Sequence, residues 1–327
     1  MRPPGFWSKA PSHPAALLLR PLSLAYGAWT AGRMDRPGLR ASCPVICIGN
    51  FSLGGAGKTP TAITVARMLA EVGARPAFLT RGYGGSLPGP VVVDPERHAA
   101  REVGDEPLLL ARHAPTVVAR DRPAGARLCA TQGADVIVMD DGLQNPSLTK
   151  DLSLAVVDAG AGIGNGLTFP AGPLRVPLAR QWRHVGALVL IGEGAAGARV
   201  AGAAAARGLP VHRARLVPEG TELAGKRVVA FAGIGRPQKF FESLREVGAV
   251  LVAERAFPDH HPFRDSELAM LVAQAERAGA VLVTTEKDRV RLPAEFADRV
   301  STLNVTLSFE DGAPLRTRLA QRVGRAS

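Results

Sequence analysis

One stretch of the chain limits its fold more than any other. Gly49-Asn50-Phe51-Ser52-Leu53-Gly54-Gly55-Ala56-Gly57-Lys58-Thr59 lies directly after the apolar run Val45-Ile46-Cys47-Ile48 and directly before an Ala-rich segment of helical character. A glycine-rich loop in that position can wrap backbone N–H groups around phosphates, with the helix N-terminus facing them. Lys58 then pairs with β- and γ-phosphates, and the Thr59 hydroxyl is placed to ligate Mg²⁺. The candidate phosphate-binding residues are Ser52, Leu53, Gly54, Gly55, Ala56, Gly57, Lys58 and Thr59. Ser52 departs from the strict pattern, which has Gly there, so the first turn must be made without it.

The rest of the chain reads as α/β. Short apolar runs at 45–48, 77–80, 116–119, 136–139, 154–157 and 187–191 alternate with helical segments, and their near-continuous apolar character predicts a parallel sheet buried on both faces. The first helix should run from about 59 to 72, with Pro60 in its first turn and Gly73 as its stop. A second cluster follows: strand 227–232, helix 237–247, strand 249–255, helix 265–278 with Asp265 as N-cap and Gly279 as stop, and strand 280–284. That cluster can form a small sheet of its own. A chain of 327 residues is about two domains long. We therefore expect a P-loop domain over 43–220 and a smaller α/β/α domain over 221–327, with the boundary where Pro218, Glu219 and Gly220 interrupt the pattern. The Ala/Gly-rich run 192–208 reads as a surface helix.

Residues 1–42 stand apart. The mostly apolar run 15–29 is broken by Arg20 and Pro21 and is too short to span a bilayer, which takes about 20 apolar residues. Arg2, Lys9, Arg20, Arg33, Arg36 and Arg40 oppose Asp35 alone, and Phe6, Trp7, Tyr26 and Trp29 are rings that favour a headgroup boundary, so the segment reads as membrane-interfacial. The alternative is a helix that packs Leu17, Leu18, Leu22 and Leu24 against the protein's own core. A formal charge of +11 favours anionic partners. Arg316, Arg318, Arg322 and Arg325 would serve a nucleic acid, but no recognition motif accompanies them. Cys43, Cys47 and Cys129 form no C-x-x-C pair, which points to a reducing compartment.

Four further clusters carry charge in chemically useful places. Asp140-Asp141-Gly142 follows the run 136–139, where either carboxylate can serve a metal beside the P-loop. Arg81, among the glycines of Thr80-Arg81-Gly82-Tyr83-Gly84-Gly85, could meet a phosphate or stay solvated. Gly104-Asp105-Glu106 opens a Leu-rich segment and, taken alone, reads as a helix start stabilised by acidic residues. Asp259-His260-His261 offers a metal site or a base oriented by a carboxylate, and ligand spacing for zinc is absent.

In order along the chain, Gly54-Gly55-Ala56-Gly57-Lys58-Thr59-Pro60, Arg81-Gly82-Tyr83-Gly84-Gly85, Gly104-Asp105-Glu106, Asp140-Asp141-Gly142-Leu143-Gln144, Pro170-Ala171-Gly172-Pro173-Leu174-Arg175, Ala232-Gly233-Ile234-Gly235, Phe257-Pro258-Asp259-His260-His261 and Thr284-Thr285-Glu286-Lys287-Asp288 resemble the tetraacyldisaccharide 4'-kinase family. The resemblance extends from the N-terminal segment to about Leu292. It implies transfer of the γ-phosphate of ATP, with Mg²⁺, to the 4'-hydroxyl of an acylated disaccharide 1-phosphate of lipid A biosynthesis. It also implies a peripheral protein at the cytoplasmic face of the bacterial inner membrane. No obligate protein partner and no nucleic acid are expected.

By the same resemblance Asp105 falls on the catalytic aspartate, His260 on its paired histidine, and Asp140 and Asp141 on the Mg²⁺-associated pair. Lys58 joins them as a catalytic residue, and Arg81, Tyr83 and Arg175 are candidate substrate or phosphate contacts. Two positions depart from the family pattern: Asn145 stands where His is usual, and Val176 where Glu is common. A P-loop NTPase acting as a switch or metallochaperone is the alternative; it would need no acceptor hydroxyl.

Overall fold

The computed structural model describes residues 4–324, so Arg2 of the basic N-terminal segment and Arg325 of the basic tail lie outside the described residues. Among the described residues twelve strands form the sheet: β1 (Val45–Gly49), β2 (Pro76–Thr80), β3 (Val91–Val92), β4 (Thr116–Val118), β5 (Val136–Asp140), β6 (Leu152–Asp158), β7 (Ala187–Ile191), β8 (Val211–Glu219), β9 (Arg227–Ala232), β10 (Val250–Ala256), β11 (Val281–Thr285) and β12 (Ser301–Phe309). Their spatial order is β10-β9-β11-β12-β8-β7-β6-β1-β5-β2-β4-β3. Neighbours from β8 to β4 run parallel, as do those from β10 to β12, and β8 meets β12 antiparallel.

The predicted parallel sheet is therefore present, and each anticipated strand lies within a residue or two of its expected position. The second cluster does not stand as a sheet of its own. It is continuous with the first through Asn304–Phe309 of β12, in register with Ala214–Glu219 of β8. Both joining strands escaped the sequence reading because Arg213, Arg215 and Pro218 interrupt β8, and β12 mixes Ser, Thr and Asn with its apolar residues.

Residues alternate between the two faces of a strand, so β1 feeds two cores. Ile46 and Ile48 pack with Val65 and Leu69 of the Lys58–Glu71 helix, whereas Cys47 faces Phe51, Leu143 and Trp182 on the opposite side. With both faces covered, β1 and β5 are buried along their whole length, which fixes the height at which the loops after them emerge. The 265–278 helix is observed as Asp265–Arg277. Its N-cap is Arg264 rather than Asp265, and the Glu267 carboxylate accepts the Arg264 N–H at 2.9 Å.

The N-terminal helix Pro14–Met34 runs on through Pro21. Its buried face is made of Ala16, Ser23, Gly27, Ala31 and Met34, mostly small residues that let the helix backbone come close to the body. Ser23 Oγ donates to the Thr168 carbonyl at 2.6 Å, and a Cβ added at Gly27 would lie 3.1 Å from Pro177 Cγ. Leu17, Leu18, Leu22 and Leu24 are all exposed, Leu18 at 80%. The own-core reading of those four leucines is thereby overturned. Among the described residues no helix is long and apolar enough to cross a membrane.

Candidate active site

β1 delivers the chain into the glycine-rich loop, and the Lys58–Glu71 helix receives it. Gly57, the helix N-cap, has φ 86°, a left-handed conformation that calls for glycine, and a Cβ there would press on the tip of Ile191 at 2.5 Å. The missing glycine at Ser52 is compensated by pairing. Ser52 bridges Leu174, the Leu53 N–H donates to the Pro173 carbonyl at 2.8 Å, and the Arg175 N–H donates to the Phe51 carbonyl at 3.1 Å. Buried Asn50 steadies the loop from inside, donating to the Gly54 carbonyl at 3.2 Å and accepting from Lys58 Nζ at 3.4 Å.

β5 lies beside β1, so the pair at its end arrives next to the loop. Asp141, in the left-handed region at φ 50°, accepts from Arg175 on both oxygens at 2.8 and 2.9 Å and stands 3.6 Å from Lys58 Nζ. Burial opposes its charge, but Lys58 and Arg175 outweigh burial and hold its carboxyl below the usual range. Asp140 has the reverse character. Burial, then the charges of Glu106 and Asp141, push its carboxyl up to about 7, and its buried Oδ1 has no hydrogen-bond partner among the described residues.

An orphaned, buried carboxylate oxygen beside a phosphate loop fits a divalent cation, which would supply the missing partner and favour the charged form. Thr59, in the first turn of the helix, makes no side-chain hydrogen bond among the described residues and has its hydroxyl free for the same ion. The sequence reading missed Arg122. This buried side chain donates to the Asp140 carbonyl at 3.3 Å, and burial lowers its pKa to about 10.

The third group of charges unites the two halves of the chain. Gly104, at φ 95°, is the N-cap of the Asp105–Ala111 helix, and a Cβ there would lie 2.6 Å from the Tyr83 carbonyl. Asp105 does more than open that helix. It is 4% exposed, and its Oδ2 lies 2.9 Å from His260 Nδ1, 155 positions away in sequence. His260 sits in the left-handed region at φ 58°, pinned by its N–H to the Gly233 carbonyl at 3.0 Å. Lys287 Nζ contacts Glu106 Oε1 at 3.1 Å, and Arg291 Nε lies 3.8 Å from Asp105 Oδ2. Burial would raise the Asp105 carboxyl, but the His260 hydrogen bond and the Lys287 charge prevail and hold it below its usual value.

Tyr83 leans over this pair, its ring 5.7 Å from that of His260 and largely exposed. Arg81 is exposed and forms no ion pair or hydrogen bond among the described residues. The structure thus brings Lys58, Asp141 and Arg175 together, and Asp105, His260 and Tyr83 together, while Arg81 bonds to neither group, although its charge reaches Arg122.

Residues 15–324 match the tetraacyldisaccharide-1-P 4'-kinase family. The chain belongs to that family. A tetraacyldisaccharide 4'-kinase of Methylorubrum extorquens is 70% identical over 98% of both chains, and one of Methylorubrum populi is 68% identical over the whole of both. A solved structure of LpxK from Aquifex aeolicus in complex with ATP superposes with a TM-score of 0.72 at 26% identity, covering 94% of this chain and 99% of that one. In this chain, Val176 is buried in the apolar cluster around Phe51 and Trp182, and its carbonyl accepts from Gln181 Nε2 at 2.6 Å. Asn145 accepts the Ser147 N–H at 2.8 Å and shapes its own turn.

Proposed function

We propose that Asp105, His260 and Lys58 are the working residues of an ATP-dependent kinase that phosphorylates the 4'-hydroxyl of a tetraacyldisaccharide 1-phosphate, the lipid A precursor. The observation that carries this reading is the 2.9 Å contact between Asp105 and His260, at a site where the neighbouring Glu106 is close enough to Asp140 to raise its carboxyl. On this reading, proton acceptor and phosphate loop are parts of one active site.

In the transfer, the 4'-oxygen bonds to the γ-phosphorus as the bond from that phosphorus to the β–γ bridging oxygen breaks. The hydroxyl proton passes to the Asp105 carboxylate, and ADP leaves. A carboxylate held below its usual pKa is ionised at neutral pH, ready to accept, and His260 keeps it aimed. Lys58 and the backbone N–H groups of residues 52–59 neutralise the phosphates, helped by Arg175, which Asp141 holds beside Lys58. Mg²⁺ held by Thr59, Asp140 and Asp141 would supply further charge neutralisation. Closure of residues 221–327 over 43–220 on ATP would bring the acceptor hydroxyl to Asp105.

The lipid substrate also gives the N-terminal helix a task. Exposed Leu17, Leu18, Leu22, Leu24 and Trp29, with Arg33 stacked 4.8 Å over the Trp29 ring, support seating on the cytoplasmic face of the inner membrane. The decisive experiment follows label from γ-labelled ATP into a tetraacyldisaccharide 1-phosphate in detergent micelles, with Mg²⁺ present or chelated. Mg²⁺-dependent label in the lipid is expected. ATP hydrolysis with no label in lipid would replace this reading with a switch-type NTPase. For the helix, Leu18→Asp together with Leu22→Asp should release the protein from anionic vesicles; full retention would assign the anchor to another surface.

A further inference from the structure

Thr284-Thr285-Glu286-Lys287-Asp288 has no task in the transfer described above. At the end of β11, Thr285 caps the Glu286–Arg289 helix: its Oγ1 accepts the Asp288 N–H at 3.0 Å and donates to the Asp288 carboxylate at 2.7 Å. Asp288 also accepts the Gly233 N–H at 3.0 Å and pairs with Arg291, whose guanidinium donates to the Gly233 carbonyl at 2.9 Å. Since Gly233 in turn holds the His260 backbone, the capped turn and the histidine loop form one block.

From this block Lys287 reaches into the first half of the chain. Its Nζ is 3.1 Å from Glu106 Oε1, 3.5 Å from His260 Nε2 and 4.0 Å from Asp105 Oδ2. An ammonium has donors and no acceptor, so the imidazole nitrogen facing it keeps its lone pair. Nε2 also lies 3.8 Å from Asp259 Oδ1, but the ammonium at 3.5 Å is nearer, which favours the proton of the neutral ring on Nδ1, the nitrogen 2.9 Å from Asp105.

We propose that Lys287 is a positioning residue for the transfer: anchored on Glu106, it presents its ammonium to His260 Nε2 and so keeps the Nδ1–H directed at Asp105. The proposal rests on the kinase reading of this site. Lys287 is charged throughout the working range, because although burial opposes its charge, Glu106, Asp105 and Asp259 outweigh burial and raise its pKa. The charged groups around Asp105 are Glu106 on its own helix, His260 on the loop, and Lys287 and Arg291 beyond β11, with Asp259 facing His260 and Asp288 engaged by Arg291. Lys287 therefore contributes both tautomer and charge to the pair.

The test compares wild type, Lys287→Met, Lys287→Arg and Glu106→Gln by lipid phosphorylation across pH and by ¹⁵N shifts of His260. In Lys287→Met, kcat should fall roughly 10²-fold through misorientation of the pair, with KM for ATP little changed. The acid limb of the kcat profile should move to higher pH, since Asp105 loses a cationic neighbour, and His260 should become a mixture of tautomers. Lys287→Arg should restore the acid limb and most of kcat. Glu106→Gln should lower kcat less, in the same direction.

Wild-type kcat, acid limb and tautomer in Lys287→Met would overturn the proposal. So would an equal loss at every pH with the Nδ1–H tautomer retained, which is the signature of a structural role alone. If the wild type transferred no phosphate to lipid, the kinase reading itself would fail, and the tautomer measurement would still decide the role of Lys287.

Discussion

The phosphate-facing and proton-facing parts of this site are built on opposite plans. The first is a single continuous stretch, residues 52–59, whose donors are largely backbone and whose shape comes from Gly57 at its N-cap and from pairing of Ser52 with Leu174. The second joins Asp105 and Glu106 of the first half to His260, Lys287 and Arg291 of the second through side-chain contacts between 2.9 and 4.0 Å. The backbone cradle needs only the fold of the first half, which supplies both the loop and Leu174. An interlocked set of charges exists only while both halves hold their relative position, so it can report domain closure and the cradle cannot.

That contrast can be broken by mutation, and the largest effect should come from the proton-facing side. Asp105→Ala should lower kcat by about 10²–10⁴ while ATP binding changes little, the range expected when a positioned general base is lost. Unchanged kcat in that variant would exclude the base role. Lys58→Met should lower kcat by about 10²–10³ and weaken ATP binding as well, because its charge meets phosphate in both ground and transition states. Equal ATP affinity in Lys58→Met would mean that the backbone alone holds the nucleotide. His260→Ala should be milder than Asp105→Ala, with kcat down and ATP affinity kept, and wild-type turnover would dissolve the pair.

Two smaller effects sharpen the comparison. Asp140→Asn should abolish the Mg²⁺ response yet leave the metal-free protein at least as thermally stable as wild type, because a buried, unpartnered carboxylate is removed. A lower melting temperature without metal would show that Asp140 is satisfied by the protein itself. The smallest effect is in acid. The folded-state pKa of Asp105 is depressed, so its contribution to stability is present above the unfolded value of about 3.8 and is lost as pH falls through the lower folded value. Acid unfolding should therefore begin at higher pH in Asp105→Asn than in wild type; coincident curves would show that the contacts to His260 and Lys287 give no net stability.

Much of the parallel sheet was legible because apolar runs bounded by glycine and proline are a local signal, and burial on both faces leaves few other readings for such runs. The strands β8 and β12 were not, since charged and polar residues on a half-exposed pair look like loop until their partner is known. The glycine-rich loop and the Asp140–Asp141 pair could be placed from residues alone, being adjacent to strands that were. Asp105 could not: on its own residues it read as an ordinary acidic helix start, and only the family resemblance lifted it out. Arg122 carried no local mark at all, and Lys287 stood in a family motif with no role attached to it.

By itself the sequence determined the α/β class, the phosphate loop and the family, because each is written in contiguous residues and their order. Tertiary structure alone decided that Leu17, Leu18, Leu22 and Leu24 face outward on a helix docked by its small residues, and that one sheet runs through both halves. It alone decided, too, that Lys287 stands between Glu106 and His260. The physical reason is common to all three: a periodic pattern states which residues share a face, but the identity of what lies opposite that face depends on contacts between segments far apart in the chain.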